Sequence, residues 1–428
     1  MMPHALRTNS DARRRLVIVG NGMATESLLN QLGVDHNWSI RVLGEEPVCH
    51  YNRIMLSPLL GEETDLAAIT PRDAAWYRAR GVTVSLGKRV ERIDRRHRRL
   101  YCRDGEQVDY HTLVIATGAR ASLPALPGVG SLDGVTGFRS LQDVERLRAW
   151  CRAHPGMPAV VVGAGLLGVE AAVGLRRLGA RVTLVHRRPV LMNRQLDQKA
   201  SRLLAASLAG RGIQVRTQCD PQGLCGDASV TGVVVEQGGE RQTLPAGVVV
   251  FATGIAPNRE LAEAAGLDCG HGIRVNSALR GSDPRIHALG ECCEFQGNTY
   301  GLVAPVQEQA AVLARVLKGH AAHYRDPSLV TRLKVSGLDI HSMGLVEAGA
   351  GQQALWLSDA AAGVYKKLIL ENGRLRGVLL VGDVRHSQWY LQMHQSGGDV
   401  SARRDILLTG PARDDDPSTP ADLSVEVA

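Results

Sequence analysis

The sequence predicts an α/β protein: two Rossmann-like dinucleotide-binding domains, the second inserted in the first, followed by a small C-terminal α+β domain. Three observations predict it. A short apolar run entering a glycine turn and then a helical pattern occurs twice, at 15–32 and at 159–178. A buried-strand run ending in Ala-Thr-Gly also occurs twice, at 113–118 and at 248–254. Residues 330–382 then alternate apolar and polar around Glu371-Asn372-Gly373-Arg374, a strong hairpin turn. The 428 residues suffice for about three domains at roughly 150 residues each.

In the first unit, Arg15 to Val19 enters Gly20-Asn21-Gly22-Met23-Ala24-Thr25, a helix follows through Leu28, Leu29 and Leu32, and the chain returns to a strand at Ile40 to Leu43. In the second, Ala159 to Val162 enters Gly163-Ala164-Gly165-Leu166-Leu167-Gly168, the helix runs from Val169 to Leu178, and the strand is Arg181 to Val185. A pyrophosphate is anionic, and a helix N-terminus offers it unpaired amides and the positive end of a dipole. The first glycine makes the tight turn, the second admits the phosphate to the backbone, and the third lets helix and strand approach. Gly20, Gly22 and Ala24 are therefore the expected nucleotide contacts of the first loop, and Gly163, Gly165, Leu167 and Gly168 those of the second. Thr25 stands where the third glycine is expected, which requires its hydroxyl to be accommodated.

The strand ends differ. The first is followed by Gly44-Glu45-Glu46, where a carboxylate would take ribose hydroxyls; Glu46 is favoured, with Glu45 close behind, and a solvated loop acid is the alternative for either. The second ends in His186-Arg187-Arg188, with Arg194 further on. Cations there pair with a 2′-phosphate that a carboxylate would repel, so the pattern leans to NADPH over NADH. The Ala-Thr-Gly segments add Thr117, Gly118, Thr253 and Gly254 to the candidate contacts. A further strand, Arg285 to Gly290-Glu291, ends in an acid where ligands of open parallel sheets bind.

Taken together, these residues resemble the two-dinucleotide-binding-domain flavoprotein reductases, the group of rubredoxin and ferredoxin reductases, NADH oxidases and disulfide reductases. Glu46-Pro47, the segment from Tyr51 to Ser57, Leu191 to Asp197, Leu289-Gly290-Glu291-Cys292, Tyr300 to Pro305, and Tyr365 to Leu368 with Gly377 to Asp383 look like the flavoprotein module of assimilatory nitrite reductases. They look equally like the electron-transfer subunit of assimilatory nitrate reductases. The resemblance implies FAD on the first fold and NAD(P)H on the second, with a C-terminal domain completing the interface. It implies that Arg53, Ser57, Arg120 and Glu291 line the FAD and that Glu170 acts as the catalytic group near the nicotinamide–flavin contact. The wider family ends its third strand in Gly-Asp, so Glu291 is one methylene longer than that pattern. The expected division is 1–13, a disordered basic tail; 14–124 with 246–328, the FAD domain; 125–245, the NAD(P)H domain; 329–410, the C-terminal interface domain; and 411–428, a disordered polar tail.

Hydride transfer from nicotinamide to flavin depends on positioning, so few protein groups need chemical roles. No cysteine pair lies near Arg53 to Leu60, which argues against disulfide reduction and for electron delivery to a separate protein. Candidate acceptors are a molybdenum nitrate reductase, a sirohaem nitrite reductase or a small iron–sulfur protein. Fused nitrite reductases continue into iron–sulfur and sirohaem domains, whereas this chain runs to a polar tail, so the nitrite-reducing centre is expected on another polypeptide. Two alternatives stay open: a rubredoxin or ferredoxin reductase, and a nucleotide-binding redox-sensing protein without turnover.

Composition sets the remaining bounds. With 44% hydrophobic and 22% charged residues, a mainly disordered chain and a disulfide-stapled miniprotein are excluded. No apolar run approaches the roughly 20 residues that cross a bilayer, and Leu16 to Val19 is too short for a signal-peptide core, so a cytoplasmic protein off the membrane is expected. The charge of +7 is modest, and the basic stretch from Lys88 to Arg103 holds only Tyr101 for stacking, which argues for a solvated hairpin face and against nucleic acid. None of the eight cysteines has redox-dithiol or zinc-knuckle spacing, and no metal is expected.

Overall fold

The computed structural model describes residues 13–325, 330–335 and 338–411; the expected tails at 1–13 and 411–428, apart from Arg13 and Pro411, lie outside the described residues, as do 326–329 and 336–337. The chain divides into two units. The first comprises Met1–Met55, Thr64–Arg120 and Ile255–Pro327, and the second Leu56–Glu63, Ala121–Gly254 and Ser328–Ala428.

The first unit is built on a five-stranded parallel sheet in the order Ile286–Ala288, Thr112–Ile115, Arg14–Val19, Trp38–Leu43, Val82–Ser85. Parallel strands covered on both faces need unbroken apolar runs, which Leu16 to Val19 and Leu113 to Ile115 supply. On one face the helices Met23–Leu32 and Val303–Leu317 pack Leu28, Leu29, Leu32 and Leu313 against Leu16, Ile18 and Val42. On the other, Val17, Val19 and Leu113 share a core with Ile93, Leu100 and Val108 of a three-stranded antiparallel sheet. That small sheet is the basic stretch. Four of its cations are paired with carboxylates: Lys88 with Glu106 at 2.9 Å, Arg89 with Glu45 at 2.6 Å, Arg99 with Asp109 at 2.6 Å and Arg103 with Glu91 at 2.7 Å. Arg92 lies 3.6 Å from the Tyr101 ring centre, so the face is a mesh of ion pairs.

The second unit repeats the plan, with parallel order Gln214–Thr217, Arg181–His186, Pro158–Val162, Val248–Phe251, Val135–Gly137. Val248–Phe251 was expected to open the return to the first domain at 246. It instead pairs with Ala159–Val162 on one side and Val135–Gly137 on the other in the second sheet, an interior position that a fully buried Val-Val-Val-Phe strand suits. The chain leaves this unit at Gly254. Leu56–Glu63 also differs from the expected division: Leu60 packs on Gly174 of the helix Leu166–Arg177, where any side chain would collide with it.

The C-terminal part of this unit is an antiparallel sheet in the order Val330–Val335, Leu338–Gly344, Arg374–Val381, Val364–Glu371, Gln353–Asp359. Asn372 and Gly373 make the expected turn with φ of 50° and 72°. The helix Ser387–Ser396 buries Trp389 and Tyr390 against Leu368, Leu380 and Val378, which gives those aromatics a core role.

Candidate dinucleotide sites

Both glycine loops fall between a central strand and a helix N-terminus. At the first, Gly20 has φ of 108°, and a Cβ there would collide with the Ala116 carbonyl. At the second, Gly163 has φ of 104°, and a Cβ would collide with the Ala252 carbonyl. Each turn thus grips the strand that ends in Ala-Thr-Gly. Gly22 and Gly165 are the N-caps of Met23–Leu32 and Leu166–Arg177; no side chain caps either helix, and a Cβ at either glycine would meet nothing within 4 Å. Open space above uncapped amides is what a pyrophosphate requires.

The third positions solve one packing problem in two ways. A Cβ on Gly168 would collide with the Gly163 carbonyl. Thr25, at the matching place, donates its hydroxyl to the Gly20 carbonyl at 2.7 Å, so the hydroxyl is accommodated by tying the turn. Ala24 faces Gly290, where a Cβ would come within 2.9 Å of the Ala24 Cβ, and the Gly290 amide donates to Gln309 Oε1 at 2.7 Å. Glu291 directly follows this turn, past the end of the strand Ile286–Ala288.

Around the first loop, Glu46 accepts the Tyr51 hydroxyl at 2.7 Å and pairs with Arg53, whose guanidinium lies 5.0 Å from the Tyr51 ring centre. Glu45 is exposed and paired with Arg89. Thr117 donates its hydroxyl to the Asn258 carbonyl at 2.8 Å, and the Asn258 amide returns a bond to the Thr117 carbonyl at 2.9 Å. The Gly118 carbonyl accepts the Asn258 N–H at 2.9 Å, while Arg120 reaches Asn258 Oδ1 at 3.0 Å and Glu260 at 2.6 Å. Asn258 therefore clasps the whole 117–120 turn, and the sequence reading missed it; its place four residues after the second Ala-Thr-Gly was the available signal. Asn21 was also missed. Tyr77 donates to its Oδ1 at 2.9 Å, and its buried Nδ2 has no protein partner, leaving a donor inside the phosphate loop. The open Gly22, the uncapped helix and this donor fit the pyrophosphate of a dinucleotide such as FAD.

At the second loop, His186 Nδ1 accepts the Ala164 N–H at 3.2 Å; burial and then the neighbouring Arg188 and Arg187 lower its pKa, keeping it a neutral acceptor. Arg187, Arg188 and Arg194 are exposed, and none is ion-paired with a carboxylate among the described residues. Leu167 lies in the first helical turn, and Thr253 donates its hydroxyl to the Ser122 carbonyl at 2.7 Å beside a Ser122 N–H to Gly254 carbonyl bond of 3.0 Å. In the same unit, the short helix Leu56–Leu60 brings Ser57 to Glu170, and its hydroxyl donates to Oε2 at 3.0 Å. Burial pushes the Glu170 carboxyl up to about 7, against the opposing pull of that bond.

All eight cysteines are free thiols. Burial, and secondarily Asp73, raises the pKa of Cys49, the cysteine nearest Arg53 in sequence, so it is not a poised thiolate. Among the described residues, no cluster of three or more side chains could hold a metal, and no helix is long and apolar enough to cross a membrane.

Residues 14–312 match the pyridine nucleotide-disulphide oxidoreductase family, and residues 330–397 match the rubredoxin NAD+ reductase C-terminal domain. The chain belongs to the pyridine nucleotide-disulphide oxidoreductase family. It is 36% identical, over 95% of its length, to the assimilatory nitrate reductase electron transfer subunit of Bacillus subtilis, of which it covers 53%. It is 34% identical, over 93% of its length, to the nitrite reductase [NAD(P)H] of the same organism, of which it covers 49%. The chain spans about half the length of these curated relatives. A solved ferredoxin reductase from Rhodopseudomonas palustris superposes with a TM-score of 0.78 at 28% identity, covering 91% of this chain and 98% of that one.

Proposed function

We propose that this chain takes electrons from NADPH in preference to NADH and delivers them to a separate cytoplasmic acceptor, a nitrate or nitrite reductase of the assimilatory type. The observation that carries the reading is the pair of glycine loops, each with an open second glycine over an uncapped helix. In this reading Gly20, Gly22, Ala24, Thr117, Gly118, Gly290 and Glu291 form the FAD-binding loop set. Glu46, with Tyr51 and Arg53, faces the adenosine side, Glu45 stands next to it, and Arg120 supports the 117–120 turn. Gly163, Gly165, Leu167, Gly168, Thr253 and Gly254 cradle NAD(P)H, while Arg187, Arg188 and Arg194 take the 2′-phosphate and His186 orders the loop between them. Bound FAD supplies the conversion of a two-electron hydride into single electrons. Ser57 and Glu170 act as one pair, the serine hydroxyl holding a carboxyl that can keep a proton near neutrality on the nicotinamide side.

The assignment of acceptor rests on the two Bacillus relatives, which are named for nitrate and nitrite reduction. A second reading, an iron–sulfur or rubredoxin acceptor, draws on the likeness to the ferredoxin reductase and on the C-terminal match. The purified protein is expected to be yellow and to bleach anaerobically with NADPH faster than with NADH. A colourless protein that cannot be reconstituted with FAD overturns the function as a whole. A pull-down from nitrate-grown cells, followed by rates with each captured acceptor, separates the two readings; equal turnover with rubredoxin removes the narrower one.

A further inference from the structure

We propose that the C-terminal sheet sets the affinity for the nicotinamide 2′-phosphate, with Tyr365 and Lys367 as positioning residues that hold the arginine-bearing loop through Asp197. This deepens the NADPH reading above and rests on it.

The loop in question runs from His186 to Asp197. Its apolar side chains Leu191, Met192 and Leu196 are buried, whereas Arg187, Arg188 and Arg194 are exposed. Two bonds anchor its middle: the Met192 N–H donates to the Ala164 carbonyl at 2.8 Å, in the glycine loop itself, and the Leu191 N–H donates to Ser201 Oγ at 2.8 Å. Its far end is Asp197, which caps the helix Gln198–Gly210 by accepting the Ala200 N–H at 2.9 Å through Oδ1.

The other carboxylate oxygen belongs to the C-terminal sheet. Asp197 Oδ2 accepts the Tyr365 hydroxyl at 2.7 Å and the Lys367 ammonium at 3.0 Å, and Lys367 also reaches Glu347 at 2.8 Å. Asp197 and Tyr365 are 5% and 2% exposed, so these contacts are made out of water. One residue into the helix, the Lys199 ammonium lies 3.3 Å from the ring centre of Trp356 on the edge strand Gln353–Asp359. Three side chains of one sheet thus hold Asp197 and Lys199, the cap and the second residue of the helix that ends the arginine loop. An ion pair this buried adds little net stability, since desolvation offsets its attraction; its attested use is to select one arrangement. Burial and the neighbouring Asp197 raise the Tyr365 pKa, so the phenol stays a donor.

Only the 2′-phosphate reads the arginines, and so only NADP+ reads their placement. The test measures NADP+ and NAD+ binding by calorimetry on the FAD-loaded protein, with flavin content and melting midpoint recorded for each variant. Tyr365→Phe and Lys367→Met are expected to weaken NADP+ binding about fivefold, the size of a lost charge-assisted contact, and to leave NAD+ binding unchanged. Should Lys367→Met fail to fold, Asp197→Asn keeps the helix cap, removes the charge partner, and carries the same expectation. In an Arg187→Ala, Arg188→Ala, Arg194→Ala background the effect of Tyr365→Phe should vanish. Equal weakening of both nucleotides, or no change in either, overturns the positioning role. If the arginine variants themselves leave NADP+ binding unaltered, the 2′-phosphate assignment falls and this inference with it; if they weaken it while the sheet variants do not, only the inference falls.

Discussion

Glu170 is a carboxylate whose charge changes near neutrality for a reason the local geometry supplies. Burial raises its pKa to about 7, above the 4.5 of a free glutamate. The folded chain therefore binds more protons than the unfolded one between those values, and stability falls as pH climbs from about 4.5 to about 7. Glu170→Gln should flatten that slope in melting curves and remove an inflection near pH 7 from nicotinamide binding; a wild-type profile without either feature would refute the protonated carboxyl. The glycines separate folding from binding. Gly22→Ala has room for its methyl in the protein and should melt as the wild-type apoprotein does while losing FAD affinity. Gly168→Ala drives its methyl into the Gly163 carbonyl and should lose nicotinamide binding together with stability. Arg187→Ala with Arg188→Ala should raise the NADPH KM roughly tenfold and spare NADH, the scale of lost charge-assisted phosphate contacts. At this scale the sequence was legible where the cause is local, as in a turn that only glycine fits. Ser57 with Glu170 is 113 positions apart and Thr117 with Asn258 is 141 apart, and no short-range pattern announces such partners.

Elements were easier to read than their allegiance. The apolar runs at Leu16 to Val19, Ala159 to Val162 and Val248 to Phe251 each became a central parallel strand, because their composition suits burial on both faces. The sheet joined by the last run was not legible: Val248 to Phe251 would satisfy either sheet by composition, and only pairing with Ala159 to Val162 decides it. Leu56 to Leu60 is similar, its destination fixed by a gap at Gly174 that the sequence does not advertise. One helix start, by contrast, is fixed by contacts within four residues. Ser140 and Asp143 form a reciprocal box at the start of Leu141–Ala153, with the Asp143 N–H donating to Ser140 Oγ at 3.2 Å and the Ser140 N–H donating to Asp143 Oδ2 at 2.9 Å. Ser140→Ala should lower unfolding free energy by about 1 kcal/mol in urea titrations without touching flavin content.

For the molecule as a whole, the first strand of the opening sheet is made from residues 14–19 and an edge strand from residues 286–288, with the whole of the second parallel sheet encoded between them. The emerging polypeptide therefore finishes its later-starting sheet by Phe251, while the earlier one stays a strand short for some 35 further residues of synthesis. A ribosome-bound intermediate stalled between those points would hold a completed second sheet while the first keeps an open flank at Thr112–Ile115, and its glycine turn would still lack the Gly290 that faces Ala24.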